Sequence, residues 1–134
     1  MGETLLRKAL IADDDALVRA MLGSALRGLG FTVVEAQNGE EAVVLHEQER
    51  PDLLFLDLLM PKLNGLDALR RIRKEGAPHV PAVLVTALTR ETVKQFEQDD
   101  VRPDAYLEKP FKLKAIARIV RQLVGLAGEA EGAA

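Results

Sequence analysis

The sequence contains no cysteine, which excludes disulfide pairing, thiol chemistry and thiolate metal sites. It has no apolar run approaching the ~18 residues that a membrane span needs. Its opening residues, "MGETLLRKALIADDD", hold neither the apolar core nor the cleavage site of a signal peptide. Gly2 is present, but Leu6 stands where a myristoylation signal requires Ser or Thr. These absences point to a cytoplasmic protein with no membrane association. An excess of basic charge is missing too. The net charge of −3 argues against a general nucleic-acid-binding face and leaves room only for a local basic patch. There are no internal repeats or low-complexity blocks.

What is present suffices for one ordinary domain. With 134 residues and 48% hydrophobic content, a real core is expected, without space for a second domain of useful size. The domain is expected over residues 1–126. The small, polar stretch 127–134 reads as a flexible tail.

Short apolar runs alternate with helical patterns. "KALIA" (8–12), "FTVVEA" (31–36), "DLLFLD" (52–57), "PAVLVT" (81–86) and "DAYLE" (104–108) read as strands. Three are apolar nearly throughout, as strands covered on both faces should be. Helix 15–29 carries Val18, Met21, Leu22, Ala25 and Leu29 at 3- and 4-residue steps, and Gly28 and Gly30 can cap its end. Helix 39–49 follows Asn38, with Glu41 at capping-box spacing, and stops before Pro51. Helix 65–75 turns Leu66, Leu69 and Ile72 inward and ends at "EGAP". Helix 90–98 is short and polar, with Val93 and Phe96 read as buried. Helix 112–125 shows Leu113, Ile116, Ala117, Val120 and Val124 on one stripe. Lys112 and Lys114 at its start oppose the helix dipole, which suggests a partner rather than a structural role. Five β-α units in series make an α/β fold: three layers, a parallel sheet between helices, with right-handed crossovers.

The polar residues gather at the strand ends. Strand 1 ends in Asp13, Asp14 and Asp15, strand 3 in Asp57, strand 4 in Thr86 and strand 5 in Lys109. In a parallel sheet these ends share one edge, where ligands of open α/β sheets bind. Asp57 is the only carboxylate inside the apolar run 53–60, and a buried charge needs a partner. Two carboxylates ~4–5 Å apart repel by roughly 3–4 kcal/mol at an effective dielectric of ~20. A proton or a cation must relieve this. Oxygen ligands suit a hard divalent ion such as Mg²⁺. Zinc does not fit, since neither His46 nor His79 falls at this edge; both read as solvated. An Asp beside a cation and a lysine, with a hydroxyl near, suits phosphoryl transfer to the Asp as nucleophile. The milder readings are a helix cap for Asp15, turn and helix start for "NGLD" (64–67), and half-buried core for Tyr106.

The pieces "LIADDD" (10–15), "LLFLDLLMPKLNG" (53–65), "VLVTA" (83–87) and "DAYLEKPF" (104–111) stand in the order and spacing of a known family. The chain resembles the receiver domain of bacterial two-component response regulators over about residues 7–126, in the manner of a single-domain chemotaxis regulator. The resemblance implies a flavodoxin-like (βα)5 fold, doubly wound, with strand order 2-1-3-4-5. It implies that Asp57 accepts a phosphoryl group from a sensor histidine kinase or a histidine phosphotransfer protein. It further implies that Asp13, Asp14 and Asp57 with the Leu59 carbonyl hold Mg²⁺, and that Lys109 pairs with Asp57 at rest and with the phosphoryl oxygens afterwards. Thr86 and Tyr106 take the switch roles, and the Lys109–Pro110 bond is cis. The result is a signalling switch rather than a turnover enzyme. It would change the surface of helix 4, strand 5 and helix 5 for an unnamed protein partner, with homodimerisation left open and no direct nucleic-acid contact.

Two departures stand out. Leu59 and Leu88 occupy positions where polar side chains often stand in the family, and "FEQDDVRPDAY" lacks the usual small turn before strand 5. Competing readings are weaker. A phosphohydrolase with an Asp nucleophile would need a second Asp where Leu59 stands. A flavin phosphate would be repelled by "DDD". A receiver-shaped module that binds proteins without phosphate remains the main alternative.

Overall fold

Two of the strands are buried at every position, and this decides their place. In the computed structural model, which describes residues 7–74, 79–97 and 100–125, β3 (Leu53–Asp57) and β4 (Ala82–Thr86) have no exposed residue. β1 (Arg7–Ala12) is buried over its last four residues. β2 (Phe31–Ala36) and β5 (Ala105–Glu108) are only partly covered, as edge strands are. The sheet is parallel throughout, in the order β2-β1-β3-β4-β5. The helices are α1 (Ala16–Gly28), α2 (Gly39–Glu49), α3 (Gly65–Lys74), α4 (Arg90–Lys94) and α5 (Leu113–Val120), the last running into a π-helical turn, Arg121–Gly125.

Side chains alternate across the sheet as a two-residue period requires. Ala9, Ile11, Leu53, Phe55, Val83 and Val85 join Leu22, Leu26, Ile116 and Ile119 in one core under α1 and α5. Leu10, Ala12, Leu54 and Leu56 join Ala42, Leu69 and Ile72 in a second core under α2 and α3. A smaller third cluster, Leu58, Leu66, Leu84 and Val93, seats α4.

The helix ends follow local chemistry. Asp15 caps α1 by accepting from the Leu17 N–H at 2.9 Å. Gly30 takes φ +97, a conformation open to glycine, just past that helix. Asn38 accepts from Glu41 N–H at 2.8 Å, while the Glu41 carboxylate accepts from Gln37 N–H at 2.9 Å. The reciprocal bond of this capping box thus falls one residue earlier than the usual pattern.

Several side chains differ from the sequence expectation. Met21 and Leu29 are exposed, because α1 turns Leu22, Gly23 and Leu26 inward instead. Leu113 is exposed because Ile116, Ile119 and Val120 form the inward stripe of α5. Phe96 is exposed because α4 ends at Lys94 and no longer carries it on the face of Val93. His46 is 4% exposed, not solvated; it continues the inward row Gly39, Ala42 of α2. The "EGAP" end of the third helix, the tail 127–134 and part of loop 97–103 lie outside the described residues.

Candidate functional site

The register of the sheet sets which strand ends meet. Ala12 pairs with Leu56, so Asp13 and Asp57 leave their strands side by side. Asp57 pairs with Val85, which puts Thr86 one step further on the next strand. Thr86 pairs with Glu108, and the Lys109 N–H continues the ladder to the Thr86 carbonyl at 2.9 Å. The Lys109–Pro110 peptide is cis.

Carboxylate oxygens of Asp13, Asp14 and Asp57 lie within 4.8 Å of one another. Asp13 and Asp57 are buried, whereas Asp14 faces solvent. Lys109 Nζ reaches both buried carboxylates, Asp13 Oδ2 at 3.0 Å and Asp57 Oδ1 at 3.5 Å. The shorter contact is to Asp13, not to Asp57, the rest-state partner that the resemblance implies. One ammonium against three carboxylates leaves the cluster under-neutralised. Burial and the neighbouring Asp13 push the Asp57 carboxyl from its ordinary 3.8 up to about 6, with Lys109 acting in the opposite direction. Burial works against the Lys109 charge as well, but the bond to Asp13 and the charge of Asp57 outweigh it and hold the ammonium above its ordinary range. An all-oxygen, electron-rich cluster of this kind fits a hard divalent cation.

Asp13 is held on every side. Its N–H donates to the Ala36 carbonyl at 3.1 Å, and its Oδ1 accepts from the Asp15 N–H at 2.9 Å. Asp57 is held through its backbone. A Cβ on Gly65 would lie 2.4 Å from the Asp57 carbonyl oxygen, so only glycine lets α3 begin this close. The Gly65 N–H donates to Leu58 O at 2.9 Å.

Thr86 is buried, and its Oγ1 accepts from the Leu88 N–H at 3.0 Å. Beside it lies a cavity of about 170 Å³ lined by Thr86, Leu88, Arg90, Val93 and Tyr106, among others. Tyr106 is half-buried; its hydroxyl donates to the Glu97 carboxylate, and the Arg90 guanidinium sits 4.1 Å from its ring centroid. Burial and that hydrogen bond push the phenol up to about 12. Asp13, Asp14, Asp57 and Lys109 therefore form one cluster, with Thr86 next to it in the ladder. Tyr106 lines the same cavity as Thr86, and Leu59 is more than half exposed.

This geometry matches what comparison finds. The family model described as "Response regulator receiver domain" matches residues 9–121. The chain belongs to the response regulator receiver family. A "Probable transcriptional regulator ycf27" of Porphyra purpurea is 36% identical over 117 residues, covering 87% of this chain and 47% of that protein. A "DNA-binding response regulator MtrA" of Mycobacterium tuberculosis is 38% identical over 119 residues, covering 89% and 51%. The chain thus spans about half the length of these curated relatives. Among solved structures, chemotaxis protein CheY4 of Vibrio cholerae superposes with a TM-score of 0.82 at 26% identity, covering 90% of this chain and all of that one. The receiver domain of sensor histidine kinase PA1611 of Pseudomonas aeruginosa, solved with magnesium in its active-site cleft, gives 0.81 at 29% identity, covering 90% and 99%.

As a receiver domain, this chain is a phospho-acceptor signalling module, and its acidic cluster fits the metal site of such a module. Among the described residues, no helix is long and apolar enough to cross a membrane. Three features of this receiver escape the sequence reading: the close approach of Gly65 to Asp57, the Arg90–Tyr106–Glu97 contacts and the hold of Arg19 on Asp13. The first had a signal, a glycine opening the helix that follows the strand ending in Asp57. The other two follow no motif: one ring contact joins Arg90 to Tyr106 across a helix and a strand, and the other joins Arg19 to a backbone carbonyl six residues before it.

Proposed function

We propose that Asp57 accepts a phosphoryl group from the phosphohistidine of a sensor kinase or a histidine phosphotransfer protein, in a Mg²⁺-dependent reaction. The observation that carries this reading is the meeting of three carboxylates and Lys109 at one sheet edge. An Asp57 carboxylate oxygen attacks phosphorus, the P–N bond breaks, and the imidazole leaves and takes up a proton. Asp13, Asp14 and Asp57, with the Leu59 carbonyl, would hold Mg²⁺, which when bound would supply neutralising charge to the phosphoryl oxygens. Lys109 rests nearer Asp13, which leaves lone pairs of Asp57 open to the incoming phosphorus. Afterwards Lys109 turns to the phosphoryl oxygens. Thr86 then moves from its bond with Leu88 N–H toward the phosphoryl group, and Tyr106 turns into the adjoining cavity.

The shift alters the surface of α4, β5 and α5, where a groove is lined by Tyr106, Phe111, Lys112, Lys114, Arg118 and Ile119. A protein partner that prefers the shifted state is recruited there. The protein acts in the cytoplasm as a switch, not as a turnover enzyme. Incubation with acetyl phosphate and Mg²⁺ followed by intact-mass measurement tests this. Wild type gains a phosphoryl adduct and Asp57→Asn does not. Turnover without a durable adduct would instead mark a phosphohydrolase, and no change at all a phosphate-independent interaction module.

The two leucines bear on the adduct's lifetime. Leu59 is exposed, and Leu88 packs against the third core cluster, so neither offers a polar atom to water approaching Asp57. The double variant Leu59→Asn/Leu88→Glu should lose its adduct about tenfold faster, equivalent to ~1.4 kcal/mol in barrier. Equal decay of variant and wild type would remove the leucines from the account.

A further inference from the structure

We infer that Arg19 is a positioning residue that aims the Asp13 carboxylate for cation binding; this rests on the reading of the acidic cluster as a Mg²⁺ site. Arg19 lies in the first turns of α1, yet its Nη1 donates to the backbone carbonyl of Asp13 at 2.7 Å. Asp13 is wholly buried and follows the last residue of β1. Its carbonyl lies past the end of the strand, within a residue that solvent does not touch. A buried backbone acceptor in that position needs a donor, and Arg19 supplies one that carries charge. The guanidinium is itself held. Its Nε donates to Glu35 Oε1 at 3.1 Å, and the side chain is only 12% exposed. Glu35 stands on β2, opposite Ile11 of β1.

The bonds on Asp13 then divide the labour. Ala36 and Arg19 fix its main chain from two sides, while Asp15 N–H and Lys109 fix the two carboxylate oxygens. A carboxylate has about four lone-pair sites, so both oxygens keep capacity for a cation. Mg²⁺ demands near-ideal geometry, so a small rotation of the Asp13 peptide weakens its grip. Partners one step removed from a metal commonly govern its affinity by about 10–100-fold. Arg27 also nears Glu35, at 3.7 Å, but its side chain is more than half exposed and serves as the control.

Titration calorimetry with Mg²⁺ alone tests the assignment, beside melting temperature in EDTA. Arg19→Ala should weaken Mg²⁺ binding about tenfold, Arg19→Lys should recover part of the loss, and Arg27→Ala should leave affinity unchanged. Glu35→Gln should weaken binding in the wild-type background and add nothing to Arg19→Ala. An Arg19→Ala protein that binds Mg²⁺ as tightly as wild type, whatever its melting temperature, overturns the positioning role while leaving the cation site intact. A wild type that takes up no Mg²⁺ overturns the site itself and this role with it. If Arg19→Ala does not fold, Glu35→Gln decides alone, and unchanged affinity there overturns the proposal.

Discussion

Asp57→Asn should stabilise the metal-free protein by about 2–3 kcal/mol at pH 7, since each tenfold weakening of the acid is equivalent to ~1.4 kcal/mol. The cause is the position of Asp57, 6% exposed and beside Asp13, which pushes its carboxyl from 3.8 up to about 6. This is the reverse of the common case for an acid. Between those two values the folded state holds more protons than the unfolded chain, so stability falls as pH rises through the window. Below pH 3.8 the group is protonated in both states and the penalty disappears. Asn keeps the shape of the side chain without its charge, and Lys109 keeps its shorter bond to Asp13. Urea denaturation in EDTA across pH 4–8 measures the effect. The two curves should converge toward pH 4, draw apart between about pH 4 and 6, and run parallel above that. Equal stability at pH 7 would mean that Asp57 is not under strain from its surroundings. Added Mg²⁺ should narrow the gap at pH 7, since it stabilises wild type and binds the Asn variant less well.

Gly65→Ala and Gly39→Ala should each cost roughly 3 kcal/mol or more, at the upper end for overfilling a packed region. A Cβ at residue 39 would lie 2.0 Å from the Leu63 carbonyl oxygen, and one at residue 65 would lie 2.4 Å from that of Asp57. Both neighbours are backbone, which cannot swing aside as a long side chain does. The pair also separates stability from chemistry. Gly39 presses on the loop between β3 and α3, whereas Gly65 presses on the proposed acceptor, Asp57, itself. Gly65→Ala should therefore slow adduct formation from acetyl phosphate well beyond Gly39→Ala at matched stability. Denaturation midpoints and phosphorylation rates measured on both variants check this. A Gly65→Ala protein with wild-type stability and rate would show that α3 can back away at little cost.

The parallel sheet is legible because β3 and β4 are apolar up to their last residue, while β2 mixes polar residues as an outer strand does; the full strand order comes only with the family resemblance. The site is legible for a related reason. Parallel strands bring their C-terminal ends together, so Asp13, Asp57, Thr86 and Lys109 converge once the elements are placed. Side-chain burial on helices is harder to read. Met21 and Leu22 are both apolar neighbours, and only packing decides which faces in. His46 looks like a surface residue by type, but α2 has only a narrow inward row and His46 lies on it. Arg19 resists reading for another reason. Its target is a backbone carbonyl, which carries no residue identity to search for.

The contacts around Tyr106 bear on how the molecule can move. Arg90 opens α4, and Glu97 lies just beyond its end, so the two grip one aromatic ring from either side of a five-residue helix. The inward swing proposed for the ring would have to break both grips in a single motion. If Tyr106 takes the proposed switch role, this arrangement would act as a toggle, with two resting places and little ground between them.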